Sequence, residues 1–296
     1  MEMIYRPNCC ICNCKEKSIL FSSDFVNPVI WNFLDSYYCH RIDKDILLDQ
    51  RYEVAKCKKC GFIWQTYILD EQGMKQLYDE WISKEHSLHK KSKAGIDFYF
   101  GYAKDVGTIS ILLKKNPYQI RVLDYGMGWG YWCMMAQAFG YNVHGMELSI
   151  NRQQFAKVHG INVISNISDL PEPVDYINCD QVMEHIPDPF VSLKEITRFL
   201  MPGGIIKITV PDGKRIEKQI TSTHWIPAKN AIHPLEHINC FTHKSLVAFA
   251  AKADLFPITR PIVSSYKCNI LIMFKNIIAK YYLRYFSTSI YFRIIE

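Results

Sequence analysis

Arg121-Val122-Leu123-Asp124-Tyr125-Gly126-Met127-Gly128-Trp129-Gly130 decides how this chain folds. A short apolar run ends on an acidic residue, glycine recurs at every second position, and an apolar pattern of helical spacing begins at Tyr131. Strand, tight turn and helix N-terminus are written this way where backbone must lie against a ligand. Glycine permits positive φ there and carries no Cβ to collide with the ligand. The spacing is G-x-G-x-G, not the G-x-G-x-x-G of a pyrophosphate loop. The next apolar run, 142–146, ends on Glu147, where a carboxylate can accept from both ribose hydroxyls.

A helix is expected from about Asp97 to Lys115. Strands are expected near 120–125, 142–146, 162–164, 174–179 and 204–210, alternating with helices near 131–139, 150–158 and 189–200. Alternation of this kind implies a parallel sheet with right-handed crossovers and a ligand beyond the C-terminal strand ends. Asp124, Glu147, Asn166 and Asp180 all fall at such ends. A carboxylate in the first turn repels a pyrophosphate and suits the cationic end of S-adenosylmethionine, which is the ligand this pattern favours.

From Arg121 to about Pro257 the chain resembles the class I S-adenosylmethionine-dependent methyltransferases. The glycine loop looks like their first motif, and 175–189 looks like their fourth strand and the loop after it. Leu200-Met201-Pro202-Gly203-Gly204-Ile205-Ile206-Lys207-Ile208 looks like their helix, Pro-Gly-Gly turn and fifth strand. The resemblance implies an α/β fold, a Rossmann-like sheet with helices on both faces. It implies cofactor contacts from Asp124, Gly126, Gly128, Gly130, Glu147 and Asp180. Asn166 with Ile167 lies where the family reads the adenine edge, and Asp169 is the alternative. Gln181, Glu184 and His185 resemble the E-x-x-E-H metal pattern of quinone-biosynthesis O-methyltransferases, with glutamine in the first place. Glu184 and His185 are read as the rim of the acceptor pocket.

Two C-x-x-C knuckles, Cys9/Cys12 and Cys57/Cys60, can complete a four-thiolate zinc site, because each short turn aims two sulfurs at one metal. Residues 51–62 read as strand, turn and strand, half of a zinc ribbon, with Lys56, Lys58 and Lys59 placed to offset thiolate charge. The long interval between the knuckles implies an inserted aromatic lobe over 24–48. Cys10 and Cys14 leave the ligand register open, and Cys39-His40 offer substitutes. The arrangement resembles methyltransferases with an N-terminal zinc-binding domain, many of which methylate sugars. In that subgroup an E-H-x-x-x-F-[ST] segment supplies the catalytic base. His237 in Glu236-His237-Ile238-Asn239-Cys240-Phe241-Thr242 matches it, with Pro234 where an assisting tyrosine would stand and His233 able to substitute. Histidine suits proton removal near neutral pH. His224 and Trp225 are placed to line the acceptor pocket.

The 296 residues, 49% hydrophobic and 22% charged, suffice for one main domain and a small one. A net charge of +6 without a basic stripe permits an anionic acceptor such as a nucleotide sugar and argues against nucleic acid. Eleven cysteines, no leader at the N-terminus and no long apolar run fit a cytoplasmic protein that uses thiols for metal. The division expected is 1–80 zinc module, 81–263 methyltransferase domain and 264–296 basic aromatic tail. In the tail, 270–274 is expected as a last strand and 275–286 as a helix that could touch an anionic membrane surface. The expected function is methyl transfer from S-adenosylmethionine to a small molecule, a sugar or glycan precursor by resemblance. The alternatives are a quinone-type or other small-molecule O-methyltransferase, or a non-catalytic cofactor-binding interaction protein. Oligomeric state is left open.

Overall fold

A computed structural model describes residues 2–259, 261, 278, 281–282 and 286–294. The chain forms two compact units, each assembled from separated segments: 1–87, 183–190 and 210–249 in one, and 88–182, 191–209 and 250–296 in the other. The sequence division at 80 and 263 is corrected accordingly, because two later stretches pack with the N-terminal segment rather than with the sheet that precedes them.

In chain order the strands are β1 (Met3–Tyr5), β2 (Lys17–Asp24), β3 (Arg51–Cys57), β4 (Ile63–Gln65), β5 (Tyr67–Leu69), β6 (Arg121–Tyr125) and β7 (Asn142–Met146). They continue with β8 (Asn162–Ile164), β9 (Val174–Asp180), β10 (Leu200–Thr209), β11 (Asn239–Cys240), β12 (Leu255–Ile258) and β13 (Ser289–Ile294). The helices are α1 (Pro28–Tyr37), α2 (Glu71–Gln76), α3 (Lys84–Ser92), α4 (Ile96–Leu113), α5 (Tyr131–Ala138), α6 (Ile150–Val158), α7 (Pro189–Thr197), α8 (Ile216–Ile220) and α9 (His243–Ala251).

The larger sheet runs β12-β13-β10-β9-β6-β7-β8. Its five strands from β10 to β8 pair in parallel, as the alternating pattern predicts. Strand β9 is buried at every residue but its last, the mark of a central parallel strand covered on both faces. The order reverses between β6 and β9, and the Rossmann-like crevice opens there, beyond the carboxyl ends of the strands. The Pro-Gly-Gly turn is corrected to a bulge inside β10, whose pairing with β9 shifts between Leu200 and Ile205. Gly203 has φ +72°, and a Cβ on Gly204 would lie 2.7 Å from Met201 O, so the bulge requires both glycines.

Strand β13 is the main departure. It lies antiparallel between β10 and β12, with Tyr291 and Phe292 almost fully buried. A segment assigned to a tail is thus interior sheet; the apolar run Ile290-Tyr291-Phe292 is short, and the basic residues before it dominate the pattern. Residues 270–274 lie outside the described residues, as does most of 275–286. Among the described residues no helix is long and apolar enough to cross a membrane.

The other unit contains a four-stranded antiparallel sheet, β11-β4-β3-β2, and the small β1-β5 pair. The aromatic stretch after β2 becomes α1, opened by Asn27, whose Oδ1 accepts from Val29 N at 3.0 Å, and by Pro28 at its first position. Phe25, Leu34, Tyr38, Tyr52 and Trp81 pack into its apolar core.

Candidate active site

In the sheet unit, the chain leaves β6 through Gly126, Gly128 and Gly130 at φ +79°, +57° and +75°. The amides of Gly126 and Met127 donate to Met146 O at 3.0 and 2.9 Å, tying the loop to the end of β7. The three glycines do different work. A Cβ on Gly126 would stand 2.6 Å from Val182 Cγ2, and one on Gly130 2.5 Å from Ile161 Cδ1. Those two glycines serve close packing of protein on protein. A Cβ on Gly128 would meet nothing within 4 Å, so this is the glycine that borders open space.

Asp124 is buried beneath the loop. Its Oδ1 accepts from Asn178 Nδ2 at 2.8 Å and its Oδ2 from Cys133 Sγ at 3.5 Å. Burial pushes its carboxyl up to about 7, and Asp180 adds to the rise. These hydrogen bonds tie Asp124 to β9 and α5, on either side of the glycine loop. Asp180, at the end of β9, is raised by burial against the pull of Lys207. Glu147 Oε1 accepts from Leu148 N at 2.9 Å and Ser149 N at 2.8 Å, and Oε2 lies 3.7 Å from Arg152 Nη1. Oε1 of Glu147 is thus engaged by backbone amides, and Oε2 stands beside the Arg152 guanidinium. Asn166 Oδ1 accepts from Ser168 N at 3.1 Å while Asp169 Oδ2 accepts from Asn166 N at 3.1 Å, and Ile167 is buried. Asn166 and Asp169 cap a short turn reciprocally at the position expected for the adenine edge.

Two contributors carry no sequence motif. Burial lowers the Lys91 ammonium on α3, and the nearby carboxylates of Asp124, Asp180 and Glu147 draw it back up. Burial raises the Tyr102 phenol on α4, with Asp124 and Asp180 adding to it. Both side chains face the same carboxylates from helices that precede the glycine loop, where no spacing signals a site.

In the other unit, three histidines converge. His237 Nδ1 is hydrogen bonded to Asn230 O, His233 Nδ1 to Pro234 O at 2.6 Å, and His185 Nδ1 to Glu236 O at 2.9 Å. A carbonyl only accepts, so each ring is an Nδ1–H tautomer that presents its Nε2 lone pair. The His237 ring lies 4.8 Å from His185 and 5.8 Å from His233, centroid to centroid. Burial lowers all three, His185 and His233 to about 3, with His237 as the next cause for both. The rings are neutral at pH 7. His233 is 0% exposed, sealed by Phe33, Tyr37 and Tyr38, and its Nε2 has no protein partner. Tyr38 donates to Glu236 Oε1 at 2.7 Å, and burial of that carboxyl raises it. Glu184, His185 and His237 offer ligand atoms within 4.8 Å of one another, so three donors for a cation are in place. Trp225, half-buried, stacks on Tyr52 and lies tilted against Phe21, and His224 is exposed.

The cysteines sort themselves. Sulfurs of Cys9, Cys12, Cys57 and Cys60 lie within 4.8 Å of one another, with Cys9–Cys60 and Cys12–Cys57 at 3.5 Å. Tetrahedral Zn–S bonds of about 2.3 Å require sulfur pairs about 3.8 Å apart, so the quartet fits a zinc ion. Cys10 instead donates to Asn239 Oδ1 at 3.7 Å and Cys14 to Glu16 O at 3.8 Å, while Cys39 is exposed. Lys56 pairs with Glu217 at 2.7 Å, which corrects its expected role beside the thiolates.

A family model described as a methyltransferase domain matches residues 100–258, more than half of the chain. The chain is 33% identical over 108 residues to the ubiquinone biosynthesis O-methyltransferase of Xylella fastidiosa, covering 32% of this chain and 44% of that protein. It is 25% identical over 104 residues to the enzyme of the same description from Colwellia psychrerythraea, covering 31% and 42%. It thus spans less than half the length of either relative. Among solved structures, the plantazolicin methyltransferase BamL in complex with SAH and a triazolic desmethylPZN analog aligns at TM-score 0.51 and 13% identity, over 76% of this chain and 95% of that one. BpumL in complex with SAH and a monoazolic analog aligns at 0.51 and 16%, over 75% and 94%. These two likenesses concern the fold.

Proposed function

Because this chain belongs to the methyltransferase-domain family, we propose that it transfers a methyl group from S-adenosylmethionine to a hydroxyl of a small molecule, a sugar or glycan precursor. The observation that carries the cofactor half is the loop at Gly128, open where a Cβ would meet nothing within 4 Å, with Glu147 and Asp180 at neighbouring strand ends. When bound, the cofactor supplies an electrophilic methyl on a sulfonium. The chain's own residues position and deprotonate. Gly128 admits the ligand, Glu147 Oε2 accepts from a ribose hydroxyl, and Lys91 offers a cation to the cofactor's carboxylate end.

His237 takes the acceptor's proton. Its Nδ1 is anchored on Asn230 O, so its Nε2 lone pair is held in one direction, and a depressed pKa keeps that lone pair available at neutral pH. His233 is the second candidate, closed beneath α1 aromatics. Cys9, Cys12, Cys57 and Cys60 would hold a zinc ion in a structural role.

A second reading is favoured by one observation, the donors of Glu184, His185 and His237 within 4.8 Å. A cation there would hold the oxygen of a phenolic, quinone-type acceptor, the class named for the curated relatives. The two readings separate in one experiment. The metal-replete protein is incubated with cofactor and either nucleotide sugars or catechols, with and without added divalent cation, and products are weighed by mass spectrometry. Methylated sugar formed without added cation supports the first reading. Methylated catechol that depends on added cation replaces it with the second. Cofactor binding without any methylated product overturns both in favour of an interaction protein.

A further inference from the structure

The sheet that carries the cysteine knuckles is completed by the histidine segment. Strand β11 pairs antiparallel with β4, Asn239 opposite Trp64, and Gln65 N donates to Ile238 O at 2.9 Å. Two amide side chains, each 1% exposed, sit at this junction. Gln65 Nε2 donates to His233 O at 2.8 Å and to His237 O at 3.0 Å. Asn239 Nδ2 donates to Met183 O at 3.0 Å and Ile186 O at 2.7 Å, the carbonyls on either side of Glu184-His185, and its backbone amide donates to Glu184 O at 3.1 Å. The orientation of the Asn239 amide is fixed from the other end, where Oδ1 accepts from Arg6 Nη2 at 2.8 Å and Cys10 Sγ at 3.7 Å. Arg6 reaches Gln65 O and Ile238 O as well, at 3.5 and 3.4 Å.

Irregular backbone at a buried site must find donors for its carbonyls, and a primary amide is the neutral side chain that supplies two N–H groups from one point. Here both pairs of carbonyls belong to segments that carry the histidines. We propose that Gln65 and Asn239 are positioning residues for the histidine cluster, which makes the cysteine-bearing sheet the inner wall of the acceptor site. The proposal rests on the reading of His237 as proton acceptor for its consequence in turnover, but not for its geometry. Cys10, outside the thiolate quartet, acquires a role as the residue that joins the first knuckle to Asn239.

The test compares Gln65→Met and Asn239→Leu, which keep approximate shape and remove the donors, in the metal-replete full chain. Imidazole nitrogen NMR reads the tautomers of His185 and His237, calorimetry reads cofactor affinity, and turnover is measured below the unfolding range. The expected result is loss of the single Nδ1–H pattern at His237 in Gln65→Met and at His185 in Asn239→Leu. Cofactor affinity stays within about 2-fold, and kcat falls by about 10²-fold, the penalty for misplacing a reacting group by about 1 Å. Should either variant fail to fold, Arg6→Lys withdraws the fork that holds the Asn239 amide and is expected to shift the His185 signal. Unchanged imidazole signals in folded variants overturn the proposal even where stability falls. Because those signals are read without acceptor, shifted tautomers in a protein that methylates nothing would uphold the positioning role and reject the methyl-transfer reading.

Discussion

Gly128 separates from its neighbours when each glycine is asked what a methyl group would touch. Gly126 and Gly130 face Val182 and Ile161, whereas Gly128 faces open space at φ +57°. Gly130→Ala is therefore expected to act on stability, through overlap with Ile161. Gly128→Ala is expected to leave the fold intact apart from about 1–2 kcal/mol of left-handed strain and to weaken cofactor binding by at least about 10-fold, read by calorimetry beside a urea midpoint. Wild-type cofactor affinity in Gly128→Ala would remove Gly128 from the site. The histidines give a second expectation. His185 and His233 titrate near 3 when folded, against an ordinary value near 6.5, so between those values the unfolded chain binds protons that the folded chain refuses. Their contribution is whole above about 6.5 and is lost as pH falls toward 3. The urea midpoint should fall between about pH 7 and about pH 5, and less steeply in His233→Gln; equal slopes would contradict it. Residue types at strand ends were legible in the sequence, but their partners were not. Glu147 and Asn166 stand where the pattern puts them and each turns one side-chain oxygen to nearby backbone amides, a local competition that spacing does not reveal. Gln65 carries no motif at all; its importance lies in two carbonyls far along the chain.

At the level of elements, the parallel strands were legible because each is bounded by the turn chemistry that positions ligands. Strands β7 and β8 and helix α6 begin and end as their patterns predict. β13 was hidden because its hydrophobic signal is brief and its antiparallel partners, β10 and β12, lie far back in the sequence. The knuckles were legible as a pair, yet their register was not, since Cys9, Cys10, Cys12 and Cys14 offer several C-x-x-C-like choices. Folding decides by turning Cys10 toward Asn239 and Cys14 toward Glu16. The expected zinc content is one ion per chain by elemental analysis, kept in Cys10→Ser and Cys14→Ser and lost in Cys12→Ser and Cys57→Ser. Zinc retained in Cys57→Ser, or lost in Cys14→Ser, would reject this ligand set.

At the level of the whole molecule, the chain alternates between two compact units, so that residues 183–190 and 210–249 pack with the cysteine-bearing segment. A linear reading of domains could not anticipate this, because each crossing falls within the apparent methyltransferase domain rather than at a polar linker. The sheet unit holds the residues proposed for the cofactor, and the other unit holds the histidines proposed for proton removal. The most direct test is the rate of S-adenosylhomocysteine formation with a pooled set of hydroxylated acceptors, wild type beside His237→Ala, with cofactor affinity measured on both. The account predicts turnover in the wild type, a loss of about 10²–10⁴-fold in the variant as expected for a general base, and equal affinity for the cofactor. Turnover that survives in His237→Ala would contradict it.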